Sequence, residues 1–318
     1  MTAASPAEAT RDEHSTHDAA RLHLVTAASL SFVGVAALGL AWLQLAAPDL
    51  AQGVSFLSYG RLRPAAVHLV VFGGAVPAVL GLASYAAAAS AGRRPAWELA
   101  SLAAWLAVTV GAVGGAVGIL IGDGQGFAWF DAPLYGDFLL GAGMAVATVS
   151  ITRTLRNTAS NIPATWFLVG SAWWLLGAFL VGNIPDVGGV NATIQNGFAV
   201  AVLVGPGLLG GAIGAGYLAL GALLDRQLSS RLGWIAFWSL GFFAPWVGQR
   251  FSVHGPGPDW LETIAVVFSV GLFLPVLTVL ADWVRSGRDR WGDVAGFVTG
   301  KFFIVGMFLL AVYPVHNL

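Results

Sequence analysis

Long, almost uncharged apolar stretches recur along this chain and restrict what it can fold into. A window of about 20 apolar residues is long enough to cross the ~30 Å hydrocarbon core of a bilayer as an α-helix. Hydrophobic residues form 57% of the 318 residues and charged residues only 10%, so lipid must be the main solvent. The sequence predicts an all-α, polytopic transmembrane helix bundle. Its nine predicted spans are residues 23–45, 64–89, 98–121, 138–151, 164–181, 197–224, 232–248, 263–280 and 293–312.

The first residues differ in character from the rest of the chain. Residues 1–22 are polar and carry charges of both signs, which is typical of a disordered segment. We expect them to form a disordered cytoplasmic tail, and residues 23–318 to form a single transmembrane domain.

Arginine is distributed unevenly between the predicted loops, and this predicts the orientation of the bundle. Cytoplasmic loops carry the excess of basic residues. The loops after spans 2, 4, 6 and 8 hold Arg93, Arg94, Arg153, Arg156, Arg226, Arg231, Arg285, Arg288 and Arg290. The opposite loops hold Arg61, Arg63 and Arg250. We therefore expect a multi-pass protein of the cell membrane with its N-terminus in the cytoplasm and its C-terminus outside.

Net charge and cysteine content exclude several functions. The net charge is −1, without a basic patch that could neutralise nucleic-acid phosphates. The chain has no cysteine, so it can form neither disulfides nor thiolate-held iron–sulfur clusters. Partners other than nucleic acid are therefore expected, above all membrane lipid.

Two sequence motifs point to a known family. Before the second span, residues 56–64 read FLSYGRLRP; around the seventh span, Phe237-Trp238 is followed by Trp246, Gly248 and Pro258-Asp259-Trp260. In order and spacing these segments resemble subunit I of cbb3-type cytochrome c oxidases, in the haem–copper oxidase superfamily. The resemblance runs from the first to the ninth span. It implies a prokaryotic respiratory-chain subunit that works in electron transport within an oxidoreductase complex.

The chain departs from that family at the copper site. Subunit I has twelve helices, whereas the likeness here covers about nine, without the tenth helix that carries haem ligands. The copper-ligating histidine of helix 6 aligns with Val200, and the histidine pair ending helix 7 aligns with Arg250 and Phe251. The tyrosine that is cross-linked to a copper ligand aligns with Ala244. Valine and phenylalanine have no lone pair for a metal, and arginine is cationic, so we expect no copper.

His68 is the histidine that falls clearly inside a predicted span. The resemblance places a haem-ligating histidine two residues after Pro64, where this chain has Ala66. On a helix, His68 is displaced from that position by ~200° and ~3 Å, unless an insertion shifts the alignment. Three roles are therefore open for His68. It is a neutral imidazole that is hydrogen-bonded to another helix, the axial ligand of one b-type haem, or a hydrogen-bond partner of a quinol.

Other residues would be needed if a haem is bound. His316, on the same predicted face of the membrane, could supply a second axial ligand, with Met144 and Met307 as alternatives to ordinary packing. Arg61 and Arg63 could neutralise haem propionates, or simply snorkel to the membrane surface.

Three hypotheses for function follow. The first is a degenerate, oxidase-subunit-I-like scaffold or anchor in a respiratory complex, not catalytic alone, that binds other subunits, either with one b-type haem or a quinol or with neither. The second is an active oxygen or nitric-oxide reductase subunit completed by a second chain. The third is a transporter or sensor on the same bundle; against it, Asp137 and Asp282 lie at helix ends, where we expect them to stay wet.

Overall fold

The protein is α-helical throughout the part of the chain that the structure describes. The computed structural model describes residues 18–158, 162–185, 188–228, 231–252 and 257–316, with only the backbone at 251 and 252. Its helices are α1 (Asp18–Ala46), α2 (Tyr59–Ala91), α3 (Glu98–Ile121), α4 (Leu134–Thr154), α5 (Pro163–Gly182), α6 (Gly189–Leu223), α7 (Arg231–Phe243), α8 (Asp259–Ser286), α9 (Trp291–Gly296) and α10 (Val298–His316). Helix α1 begins five residues before the predicted first span, and residues 1–17 of the predicted tail lie outside the described ranges.

Eight of the described helices are long and apolar enough to cross a membrane: α1 to α6, α8 and α10. The predicted polytopic all-α bundle is therefore confirmed. The seventh predicted span is different, because α7 has only 13 residues and continues as a nine-residue 3-10 helix, Ala244–Ser252. At ~1.5 Å per α-helical and ~2.0 Å per 3-10 residue, the two together extend about 37 Å, which also exceeds the hydrocarbon core.

The chain divides into two compact units, Met1–Thr158 and Ala159–Leu318, where the sequence predicts one transmembrane domain. The first unit contains α1 to α4. Two of its helices end at a glycine in the left-handed conformation that other residues avoid, Gly92 after α2 (φ 59°) and Gly122 after α3 (φ 95°). The next helix begins six residues after Gly92 and twelve residues after Gly122.

Small residues bring α3 and α4 into close contact in the first unit. A Cβ added to Gly111 would lie 2.6 Å from the Leu140 nitrogen, and one added to Gly136 would lie 3.0 Å from the Gly115 Cα. Gly114, in contrast, faces open space. This absence of side chains allows backbone approach, which is how helices associate in lipid.

In the second unit, α6 packs on α5 through another glycine stripe. A Cβ at Gly207 would lie 2.7 Å from Leu175, one at Gly210 2.7 Å from Ser171, and one at Gly214 2.7 Å from Leu168. Aromatic side chains pack in the core of this unit. Among them, the ring of Phe167 stacks on that of Tyr217 with 5.9 Å between the ring centroids.

Both α2 and α6 contain a π-helical segment. Leu69–Ala75 lies just before Pro77, and Leu203–Leu209 includes Pro206. Proline lacks the N–H that an α-helix needs, so local widening of the helix near it is expected. In α6 the Pro206 carbonyl accepts a hydrogen bond from the Ser171 hydroxyl of α5 at 3.0 Å.

Candidate functional site

His68 lies at the junction between the α-helical and π-helical parts of α2, inside the first unit. Its side chain is 2% exposed, and its ring packs at 5.1 Å against Phe72, which in turn packs against Phe130. Phe130 belongs to the loop between α3 and α4, so this loop folds back over the histidine. Because π-helical turns are frequent at functional sites, the surroundings of His68 are a candidate functional site.

The imidazole is tightly enclosed. A Cβ at Gly115 of α3 would lie 2.6 Å from Nε2 and 3.0 Å from Cε1 of His68, and 3.0 Å from Ala132. Both ring nitrogens are buried without a hydrogen bond of normal geometry among the described residues, although the Ala112 carbonyl is close enough to interact with the ring. The hydrogen bond expected from a structural histidine is therefore absent or weak.

The packing around His68 does not fit a haem. An axial ligand needs a free ring nitrogen facing a flat macrocycle, whereas Nε2 faces the α3 backbone at Gly115 and both nitrogens are buried. An iron at Nε2 would require α2 and α3 to separate at Gly115.

Arg61 and Arg63 are placed differently although they are two residues apart. Arg61 donates from Nη1 to the Leu120 carbonyl at 3.3 Å and lies beside Gly122, so it binds the C-terminal end of α3, where carbonyls lack helical partners. Arg63 is exposed. Arg61 thus already has a structural partner in the same unit as His68.

The other residues considered as haem ligands lie on α4 and α10. Met144 is fully buried in α4. Met307 is partly buried in α10, and His316 is exposed at the last position of that helix; both belong to the second unit. His23 was not predicted as a site residue from the sequence. It is as buried as His68, and its Nδ1 also has no hydrogen-bond partner among the described residues.

The positions aligned with the copper ligands lie in the second unit, in α6 and the 3-10 helix after α7. Val200 is partly buried, and Ala244 is buried 2.6 Å from where a Cβ at Gly205 would stand. Arg250 is partly buried, while the side chain of Phe251 lies outside the described residues. Neither Val200 nor Ala244 can donate to a metal, and Arg250 is a cation, so the donor set does not fit copper.

The two segments also contact each other directly. A Cβ at Gly248 would collide with the Gly197 carbonyl oxygen. Beside this contact, the buried Gln249 donates from Nε2 to the Ile194 carbonyl at 2.7 Å, and Phe198 packs edge-on against Trp246 at 5.5 Å. Backbone contact and one buried amide thus join the two segments that hold Val200 and Arg250.

Asp137 and Asp282 are buried, contrary to the expectation that both stay in contact with water. Asp137 is 5% and Asp282 3% exposed. Gln125 donates to Asp137 at 2.7 Å, and the Tyr217 hydroxyl donates to Asp282 at 2.7 Å. The expectation was wrong because a loop folds over the first carboxylate and an aromatic cluster covers the second, and neither is visible in the local sequence. Within the described ranges, no three His, Asp or Glu residues group as metal ligands would.

These helices define a multi-pass membrane protein built of apolar spans. The family model for Cytochrome C and Quinol oxidase polypeptide I matches residues 18–313, and the chain belongs to this family. The predicted likeness to haem–copper oxidase subunit I is thereby confirmed.

Individual relatives agree with this assignment. The chain is 25% identical over 267 residues to the cytochrome c oxidase subunit 1 homolog of Agrobacterium tumefaciens, covering 79% of this chain and 49% of the relative. It is 26% identical over 265 residues to the bacteroid homolog of Bradyrhizobium diazoefficiens, covering 78% and 48%. With cytochrome c oxidase subunit 1 of Rhodobacter capsulatus it shares 24% over 271 residues, covering 78% and 50%. The chain spans about half the length of these curated relatives.

Proposed function

We propose that this chain is a non-catalytic, oxidase-subunit-I-like integral membrane subunit that acts as scaffold or anchor in a respiratory electron-transfer complex of the cell membrane. The observation that carries the proposal is the replacement of the copper ligands by Val200, Arg250 and Phe251. The backbone contact of Gly248 with Gly197 agrees with it, because this contact joins the two segments that hold Val200 and Arg250. A family fold that has lost its metal donors keeps its surfaces for partner subunits and loses oxygen chemistry.

His68 is the residue on which a b-type haem or a quinol would depend within this proposal, with Arg61, Arg63 and His316 as accessory residues. The enclosed imidazole favours a packing role. A matched pair of variants separates the roles, because His23 is equally buried. If His68 is a ligand, His68→Ala abolishes a haem band in the reduced-minus-oxidised spectrum and His23→Ala keeps it; in a packing role, neither variant changes the spectrum.

The proposal is tested on the full chain purified from its own membranes. We expect less than stoichiometric copper by metal analysis, no oxygen consumption by the chain alone, and respiratory subunits among the co-purifying proteins. One copper per chain with oxygen consumption would instead establish the reductase hypothesis. Purification without any redox partner would contradict the scaffold role.

A transporter is the second candidate function, since Asp137 and Asp282 are buried carboxylates near the ends of candidate spans. Buried acids in membrane helices commonly mark ion or proton pathways. Proton uptake by proteoliposomes, lost in Asp282→Asn and kept in the exposed control Asp259→Asn, would support it. Liposomes that take up no protons or cations would eliminate it.

A further inference from the structure

Residues 122–133, the loop between α3 and α4, cover His68 from one side. Most residues of this loop are exposed, but Phe130 is only 1% exposed. The rings of Phe130 and Phe72 pack with 5.9 Å between their centroids, and Phe72 packs on the imidazole at 5.1 Å. The loop thus reaches His68 through a buried aromatic contact.

A second buried contact of the loop lies at Ala132. A Cβ at Gly115 would stand 3.0 Å from the Ala132 Cβ and 2.6 Å from Nε2 of His68, so the methyl group and the imidazole edge flank the same small space beside α3. The Ala132 backbone is held in turn by Gln125, whose Nε2 donates to the Ala132 carbonyl at 2.5 Å and to Asp137 at 2.7 Å. One amide therefore ties the cover of His68 to α4.

The Asp137 carboxylate makes this amide contact costly to lose. It is 5% exposed in the first turn of α4 and accepts from Gln125. A buried carboxylate that loses a donor must regain one from water. Loss of the amide therefore favours a state in which the loop lifts and water reaches the carboxylate.

The loop also has internal bonds that do not depend on the helices. The backbone nitrogens of Gln125 and Gly126 donate to Asp131, at 3.1 Å to its carbonyl and at 2.5 Å to its carboxylate. Such bonds are typical of compact surface loops of about 6–16 residues. The loop can therefore separate from Phe72 and Asp137 as one piece, and local opening of this kind needs less free energy than unfolding of the whole unit.

We propose that this loop is a lid over His68, held closed by the bond of Gln125 to Asp137, and that its opening admits water and small polar solutes to the imidazole. Both ring nitrogens of His68 are buried without a hydrogen bond of normal geometry among the described residues, so an entering molecule finds them available. Entry is from the face on which the loop lies, which the distribution of arginine predicts to be the outer one. The inference does not depend on the scaffold role, because it concerns access to His68 and not what the complex does.

The test measures how fast His68 reacts with diethyl pyrocarbonate, which acylates neutral imidazole, in the full chain in detergent. Peptide mass spectrometry gives the rate at each histidine separately. In the wild type we expect His68 to react much more slowly than the exposed His316. In Gln125→Ala the rate at His68 should rise about tenfold, because the reaction follows the open fraction and a hydrogen bond to a carboxylate is worth about that factor.

Two controls separate a lid from general loosening of the unit. His23 is as buried as His68 but lies on α1, and its rate should not change in Gln125→Ala. Gln52 makes a similar amide-to-carboxylate bond, to Asp49 at 2.5 Å, in another exposed loop. Gln52→Ala should therefore leave the rate at His68 as it is in the wild type.

Equal rates at His68 in the wild type and in Gln125→Ala would overturn the proposal, as would an equal rise at His23. If Gln125→Ala does not fold, Asp137→Ala removes the other half of the contact without leaving a buried charge. Asp137→Asn, which keeps an acceptor oxygen for Gln125, is its control. Faster reaction of His68 in Asp137→Ala than in Asp137→Asn supports the lid, and equal rates in these two variants overturn it.

Discussion

At the scale of single residues, His68 and Gly115 form one of the close contacts that hold the helices of the first unit together. The glycine has no side chain where the imidazole needs space, so the two positions depend on each other. A substitution at either position therefore changes the space that is available to the other residue across the helix interface.

This dependence gives a prediction. Gly115→Ala places a methyl group 2.6 Å from Nε2 of His68, and we expect a loss of about 1–3 kcal/mol in the free energy of unfolding, as is usual for overpacking. In the His68→Ala background, where the imidazole is gone, adding Gly115→Ala should cost much less than it does in the wild type. Thermal unfolding in detergent measures both.

The adjacent glycine serves as control. Gly114 faces open space, so Gly114→Ala should be neutral, or stabilising by up to ~1 kcal/mol through the higher helix propensity of alanine. Equal losses at the two positions would mean that the crowding around His68 is not real.

His68 was recognisable in the sequence as a polar residue in a span, but its surroundings were not. What encloses it comes from α3 and from the loop that carries Phe130, more than forty residues further along the chain. The same limit applies to Asp137 and Asp282, whose covers come from distant or aromatic segments. Sequence identifies an unusual residue type in lipid, whereas burial depends on which distant segments fold over it.

At the scale of helices, α5 and α6 are joined by a polar contact as well as by glycines. The Ser171 hydroxyl donates to the carbonyl of Pro206 within the π-helical segment of α6. A widened helix leaves carbonyls without their usual partners, and a neighbouring hydroxyl can satisfy one of them.

We therefore expect Ser171→Ala to lower the free energy of unfolding by about 0.6–2 kcal/mol, the measured range for such bonds between membrane helices. Ser239 is the control, because its hydroxyl bonds to the Ile235 carbonyl of its own helix and Ser239→Ala should change little. Unfolding curves of the two variants that coincide would speak against the contact.

The helices themselves were predictable to a large extent. Apolar length alone identified eight spans that the structure confirms. In α3, Gly111 and Gly115 pack against neighbours whereas Gly114 faces open space. A repeat of small residues signals close packing, but it does not say which face of the helix the neighbour occupies.

At the scale of the whole molecule, the arrangement of arginines predicts the topology, and the lack of cysteine makes it directly testable. Gln52→Cys lies in an exposed loop expected outside, and Gln227→Cys in an exposed loop expected in the cytoplasm. A maleimide that cannot cross membranes should label the first in intact cells and the second only after permeabilisation. The reverse pattern would invert the topology.

The contact of Gly248 with Gly197 has a consequence for how this chain could change. Gly197 and Gly248 lie three residues before Val200 and two residues before Arg250, and a side chain at Gly248 would push apart the two segments that hold these positions. The distance between the family's copper positions in this chain therefore depends on glycines that carry no donor atom of their own.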